Sequence, residues 1–359
     1  VSVAIYQYDG FAGGFVWEWC DHAIYCQKSA DGKAIYHYGG DSGEFPHDGN
    51  FCMDGLVYPD RTPHVGLKEW KNVARPVRAF MNPARYGEIT LENRFDFTNL
   101  RDAVSIEYVC KQDGVIKATG KLDDLDLEPR KRKNIFLNLP VFTEGRAYLQ
   151  LIYRQKEDTA LTPAGMELGF DQICLYEPAA YESFSQKDTH QKAVTVTETD
   201  KTFEVTGENF TYIFGKKTGT FIKMSKDGME RIAAPMEYNI FRAPTDNDRS
   251  VIHQWERAGY DRMATKIYSA SARQENGSAV ICVSMSLTAA FIQRILSIHA
   301  VWTVDSQGKV ALCLDAQKDP SLPFLPRFGI KMALPLSYQE VEYFGFGPYE
   351  SYVDKHRAS

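Results

Sequence analysis

Several features that would narrow a sequence quickly are missing from this one. No apolar run approaches the ~18 residues of a membrane span, and no secretory leader is recognisable. The chain opens on Val1 without an initiating Met, in mid-pattern, so the second absence excludes little. No stretch has the Lys and Arg density that tracks a phosphate backbone, and the formal net charge is -6. A nucleic-acid partner is therefore discounted. The only basic run, Arg130-Lys131-Arg132-Lys133, follows Asp123, Asp124, Asp126 and Glu128 and reads as a solvated loop beside opposite charges. The seven cysteines are odd in number and scattered (20, 26, 52, 110, 174, 282, 313), without paired Cys-x-x-Cys motifs. That argues against a disulfide framework or a zinc site, and points mildly to a reducing compartment. The expected compartment is the cytoplasm, with the periplasm left open because the start of the chain is missing.

What is abundant is aromatic side chain. Twenty-one Phe, 20 Tyr and 5 Trp make up 13% of 359 residues. Such richness suits large β-sandwich cores or a surface that stacks on flat ligands. At about 100–200 residues per domain the length predicts two or three domains. Three blocks separate by pattern. Residues 1–76 hold an apolar strand candidate at 14–20, a Gly-rich polar stretch at 38–50 and a helical pattern at 64–73, which Pro76 would terminate. Residues 77–178 read as short strands (88–95, 104–110, 135–139, 147–153) with turn signals at Asp113-Gly114 and Glu144-Gly145. This pattern predicts an immunoglobulin-like sandwich. A polar linker at 177–191 leads to a third strand-rich block, 192–359, with a hairpin at 211–224 and strands at 280–287, 298–304 and 310–314, read as a larger sandwich.

The first block is the informative one. Read as a strand, Phe15-Val-Trp-Glu-Trp19 places Phe15, Trp17 and Trp19 on one face and Glu18 on the other. Glu18 would then point away from any site on the tryptophan side, and Asp21 would be placed to orient a ligand or a loop. One strand with one helix cannot bury its apolar side alone, so the block is expected to meet further strands. Aromatics and carboxylates at the C-terminal end of a barrel strand suit a saccharide, whose C–H faces pack on rings. The Gly-rich stretch carries Asp41, Glu44, Asp48, Asp54 and Asp60. Oxygen-rich loops can hold hard cations, but for most of these carboxylates the expected role is to tie backbone N–H groups in turns. The same turn role is expected of Asp246-Asn247-Asp248.

Several long motifs occur in order: Gly13-Gly-Phe-Val-Trp-Glu-Trp, Tyr38-Gly-Gly-Asp, Asn50-Phe-Cys-Met-Asp-Gly-Leu-Val, Pro59-Asp-Arg-Thr-Pro-His, Phe241-Arg-Ala-Pro-Thr-Asp-Asn-Asp, and Tyr343-Phe-Gly-Phe-Gly-Pro-Tyr-Glu-Ser-Tyr-Val-Asp. Together they closely resemble the large β-galactosidases of glycoside hydrolase family 2, over essentially the whole chain. The resemblance implies the C-terminal end of a (β/α)8 barrel, an immunoglobulin-like sandwich, and a large, incomplete galactose-mutarotase-like β-sandwich. It implies a retaining glycosidase acting on terminal β-D-galactosides through two glutamates. In the family both lie upstream of Gly-Gly-Phe-Val-Trp, and no Glu precedes Gly13 here. No catalytic residue is therefore expected in this chain, which alone should be inactive, and the ligands of the family's Mg2+ should be absent too.

The same resemblance makes Trp17 the wall against the galactosyl ring. Phe51, through its backbone carbonyl, and Asp54 become ligands of a Na+ near the substrate, and Tyr343 the aromatic group facing the aglycone. Asp54 stands where the best-known members have Asn, Tyr343 where they have Trp, and His47 and Gly49 also depart from their pattern. Implied partners are a β-galactoside, the remainder of the barrel, and further copies of the parent in a homo-oligomer. Two other readings remain: a related β-glucuronidase or β-mannosidase, disfavoured by the block around Phe241, and a non-catalytic carbohydrate-binding or assembly module.

Overall fold

The computed structural model of the chain describes residues 2–8, 10–122, 125–178, 193–343, 345–353 and 355–358. These fall into two compact units, one up to 178 together with 345–358, the other 193–343. Most of the linker expected at 177–191, and Asp123 and Asp124 beside the basic run, lie outside the described residues.

The first unit begins with α1 (Ser2–Gln7), then a hairpin of β1 (Ile24–Lys28) and β2 (Ala34–His37), and α2 (Val65–Val73). His64 precedes α2 in extended conformation and Ala74 closes it, two residues before Pro76. Two sheets follow. One orders β3 (Val77–Met81), β4 (Glu88–Asn93) and β7 (Arg132–Phe136). The other orders β6 (Val115–Leu122), β5 (Val104–Gln112), β8 (Ala147–Gln155) and β9 (Glu167–Tyr176), with the single-turn α3 (Leu100–Ala103) leading into β5. Alternate residues of each strand share one core. Leu149, Leu151 and Tyr153 of β8 are fully buried in one cluster with Ile89 and Leu91 from the other sheet. The result is a seven-stranded sandwich of the immunoglobulin-like kind.

A buried polar network fastens α2 to this sandwich. Asp171 Oδ2 accepts from Arg75 Nε (3.2 Å), Ala79 N (2.9 Å) and the Tyr153 hydroxyl (2.6 Å), while Oδ1 pairs with Arg75 Nη2. Burial first, and the adjacent carboxylate second, push the Tyr153 phenol well above its ordinary range, so it stays a donor. Asn72 Oδ1 accepts from Phe170 N (2.8 Å), and its amide donates to the Arg357 carbonyl (2.7 Å). Glu69 Oε2 accepts the backbone N–H groups of Arg357 and Ala358 at 2.6 and 2.7 Å. Lys68 Nζ sits 3.5 Å from the Tyr349 ring centroid. Through these contacts residues 345–358 group with the first unit.

The second unit packs a five-stranded sheet against a four-stranded one. The first is β10 (Thr195–Glu198), β11 (Thr202–Thr206), β12 (Phe210–Gly215), β13 (Thr220–Lys226) and β14 (Met229–Glu230), in sequence order. β15 (Glu237–Asn239) pairs instead with β20 (Gly329–Lys331). Between them come α4 (Ile252–Arg257) and the second sheet, β16 (Ala264–Glu275), β17 (Ser278–Ala289), β18 (Ile292–Val304) and β19 (Val310–Lys318). Phe214, Phe221 and Trp302 meet edge to face across the core, with centroids 5.2 to 5.9 Å apart. Trp255 of α4 is fully buried and donates to the Phe324 carbonyl at 3.0 Å.

Two expectations are corrected. Residues 14–19 form no strand, and Cys20 makes only an isolated bridge to Val57. The backbone there spends its hydrogen bonds on 54–57 instead: Glu18 N to Asp54 O (3.1 Å), Leu56 N and Val57 N to Trp19 O (both 3.0 Å), and Asp21 N to Val57 O (3.0 Å). With no paired strand, the parity that put Phe15, Trp17 and Trp19 on one buried face does not apply, and all three are exposed. The basic run is not wholly a loop either. Arg132 and Lys133 open β7, and the ion partners are Glu92 and Asp96, at 2.6 Å from Arg132 and Arg130 respectively.

Candidate functional site

The segment carrying Trp17 is built against the loop carrying Phe51 and Asp54. Glu18 N–H donates to the Asp54 carbonyl, and His22 N–H donates to the Cys52 carbonyl at 2.8 Å. Gly55 permits this closeness, since a Cβ there would collide with the Cys20–Asp21 backbone. Asp21 is buried and clamps the junction. Its Oδ1 accepts from Gly55 N at 2.8 Å, and its Oδ2 lies 2.9 Å from His64 Nε2. The His64 ring stacks on Tyr58 with centroids 3.7 Å apart. Asp21 thus orients a loop, and it does so from an irregular segment. Glu18 pairs with His22 at 3.2 Å.

On this frame the Trp17 side chain is 76% exposed and Phe51 67%. Phe51 sits in a 3-10 turn, Gly49–Cys52. A left-handed Gly39 lets the preceding loop pass against that turn, because a Cβ at Gly39 would strike the Gly49 carbonyl. His47 Nδ1 accepts from Gly49 N at 3.2 Å.

The loop carboxylates divide sharply. Asp41 accepts from Tyr38 N (3.1 Å), Glu44 from Gly40 N (2.5 Å) and Ser42 N (3.1 Å), and Asp60 from Thr62 N and Oγ1 (2.9 and 2.6 Å). The backbone N–H of Gly40 holds the Glu44 carboxyl below its usual range, and the Thr62 hydroxyl does the same for Asp60. These are turn-forming carboxylates. Asp54 differs: its Oδ1 is buried and has no hydrogen-bond partner. A buried carboxylate oxygen with nothing to accept is costly, and a cation bound there would satisfy it.

Of the four residues singled out from the sequence, the structure brings Trp17, Phe51 and Asp54 together on one pair of segments. Tyr343 lies in the other unit, 67% exposed at the end of its described residues. Asp248 takes the turn role expected of it. It accepts from Arg242 Nη1 and Nη2 (2.5 and 3.0 Å), Thr245 N (2.7 Å) and Thr245 Oγ1 (3.1 Å), closing a capping box. Arg242 leads the contacts that depress its carboxyl to about 2. Sequence reading placed Asp21 to orient a ligand or a loop but missed its partners, Gly55 and His64, and the unpaired oxygen of Asp54, which no local signal marks.

Three family descriptions match successive parts of the chain. "Glycosyl hydrolases family 2, TIM barrel domain" matches residues 2–79, "Beta-galactosidase, domain 4" residues 89–176, and "Beta galactosidase small chain" residues 206–359. Among curated relatives, a β-galactosidase of Actinobacillus pleuropneumoniae is 38% identical over 355 residues, covering 98% of this chain and 34% of the relative. One from Staphylococcus xylosus is 33% identical over 350 residues, covering 97% and 35%. One from Priestia megaterium is 29% identical over 359 residues, covering 97% and 33%. The chain spans about a third of the length of these curated relatives. No described helix is long and apolar enough to cross a membrane. Matched in order along nearly its whole length, the chain belongs to the β-galactosidases of glycoside hydrolase family 2.

Proposed function

We propose that these residues form part of a retaining β-galactosidase and supply the non-catalytic walls of its site. Trp17 packs its indole on the C–H face of the galactosyl ring. Asp54, through its buried Oδ1, and the Phe51 carbonyl hold a Na+ that orients the sugar. The observation that carries this reading is the pairing of an exposed indole with an unsatisfied buried carboxylate oxygen on two segments joined by the Glu18 N–H to Asp54 carbonyl bond. Bond cleavage falls to two glutamates N-terminal to Gly13 in the whole protein, one protonating the leaving oxygen and one attacking the anomeric carbon.

The test uses the protein carrying the complete barrel. Aryl β-galactosides should be hydrolysed, and the corresponding glucuronide and mannoside should not. Trp17→Ala should lower kcat/KM by roughly 10- to 100-fold, the ~1.5–3 kcal/mol of one large apolar contact. Asp54→Ala should abolish the difference in activity between Na+ and K+ buffers. Unchanged kcat/KM in Trp17→Ala would remove the sugar-wall role.

A further inference from the structure

The second unit contains a concavity that the reading above does not use, on the outer face of the sheet β16–β17–β18–β19. It is an open hollow of about 360 Å3, at the lower end of the ~300–1,000 Å3 of small-molecule sites. Register explains the hollow. Ser286 pairs with Ser297 and Ser297 with Gln317, while Ser284 pairs with His299 and His299 with Asp315. In an antiparallel sheet such residues project side by side from one face. Serines at the centre leave a trough, and longer polar groups line it: Tyr268 from β16, Arg294 and His299 from β18, and Asp315 and Gln317 from β19.

The rim is organised. Ser286 is fully buried, and its hydroxyl lies 2.9 Å from the Tyr268 hydroxyl, fixing that ring beside the trough. The Arg294 guanidinium is 6.0 Å and Lys266 Nζ 5.6 Å from the Tyr268 centroid. The Ser286 hydrogen bond first, then the neighbouring cations, hold the Tyr268 phenol below its ordinary range. An aromatic face flanked by a guanidinium, in one hollow with an imidazole, a carboxylate and a primary amide, offers both donors and acceptors in planar groups. Vicinal hydroxyls need donors and acceptors together, and a sugar's C–H face needs the ring. The Asp315 carboxylate can only accept, and so needs a donor such as a hydroxyl, which a phosphate dianion does not offer.

We propose that this trough is a second saccharide-binding site, independent of the Trp17 surface, taking a neutral mono- or disaccharide between Tyr268 and the His299–Asp315–Gln317 rim. Arg294 and Asp315 hydrogen-bond adjacent hydroxyls, and Tyr268 stacks on the ring.

Saturation-transfer NMR on the 359-residue chain tests this with galactose, lactose and maltose as probes and inorganic phosphate as competitor. Transfer to at least one saccharide is expected. It should persist in Trp17→Ala and weaken about tenfold in apparent Kd in Arg294→Ala and in Asp315→Asn, the loss of one charge-assisted hydrogen bond. Tyr268→Phe keeps the ring but drops the bond to Ser286, and should weaken binding less than Tyr268→Ala. Asp315→Asn is nearly isosteric and exposed, so it reports even if another variant misfolds. Three results overturn the proposal: no transfer to any saccharide; transfer lost in Trp17→Ala but kept in Arg294→Ala and Asp315→Asn; or displacement of the sugar by millimolar phosphate, which would make the trough an anion site.

Discussion

Replacing Asp171 with Ala should unfold the first unit at much lower denaturant, and the size of the effect follows from what the carboxylate holds. It accepts from Arg75, Ala79 and Tyr153 at once. The Arg75 side chain is only 3% exposed, so removing its partner leaves a guanidinium charge with no solvent to screen it. Breaking a buried pair from one side costs about 3–5 kcal/mol. The orphaned Tyr153 hydroxyl and Ala79 N–H, at about 1–3 kcal/mol each, overlap with that figure more than they add to it. We expect a loss of about 4 kcal/mol, which at an m-value of about 2 kcal/mol/M moves the urea midpoint down by about 2 M. Hydrogen exchange at amides of β5 and β8 during urea titration reads this unit without interference from the other. The double variant Arg75→Met, Asp171→Leu should lose less than Asp171→Ala alone, because no charge is then stranded. A single-variant loss below about 1 kcal/mol, or a double variant whose loss is the sum of the singles, would show that Asp171 and Arg75 are not a coupled buried pair.

Other outcomes follow from the same geometry. Trp17→Ala should leave stability within about 0.5 kcal/mol, being exposed, whereas Trp255→Ala, fully buried and bonded to Phe324, should cost about 3–5 kcal/mol in thermal or urea unfolding. Asp248 has a carboxyl depressed to about 2 by Arg242 and the Thr245 cap. Its stabilisation is therefore complete above the unfolded value near 4 and lost as pH falls through about 2, with a carboxyl NMR titration midpoint near 2. A midpoint near 4 would show that the Arg242 pair does not form. Glu69→Ala should speed hydrogen exchange at Arg357 and Ala358 while leaving β8 amides protected, because its carboxylate holds those two N–H groups.

How far the sequence could be read depended on whether a residue's partner was near in the chain or implied by period. β8 was legible because buried Leu149, Leu151 and Tyr153 recur at every second position, with Gln150 and Arg154 among the less buried residues between them. The pairing of β12 with β13 was legible from a turn between two β-rich runs. The hairpin β1–β2 was missed because every residue of β1 is exposed, so no alternation marks it. The 14–20 stretch was misread because an apolar run is compatible with a strand only when a neighbouring strand supplies hydrogen bonds, and here the 54–57 segment supplies them in a non-strand arrangement. At the site, Trp17 and Asp54 came from a motif match. What makes Asp54 unlike its neighbours, one oxygen with no donor, depends on the folded loop. The clasp of Glu69 on Arg357 joins residues 288 apart, and the serine trough needs the register of three strands. No local pattern encodes either.

In the proposed function this chain shapes a galactoside site while the groups that cleave the bond lie outside it. The decisive assay is aryl β-galactoside hydrolysis by the purified 359-residue chain, from a host lacking galactosidase. No turnover above the blank is expected, with or without Na+ and Mg2+. Turnover that disappears in Glu18→Gln, the acid that pairs here with His22, would contradict it.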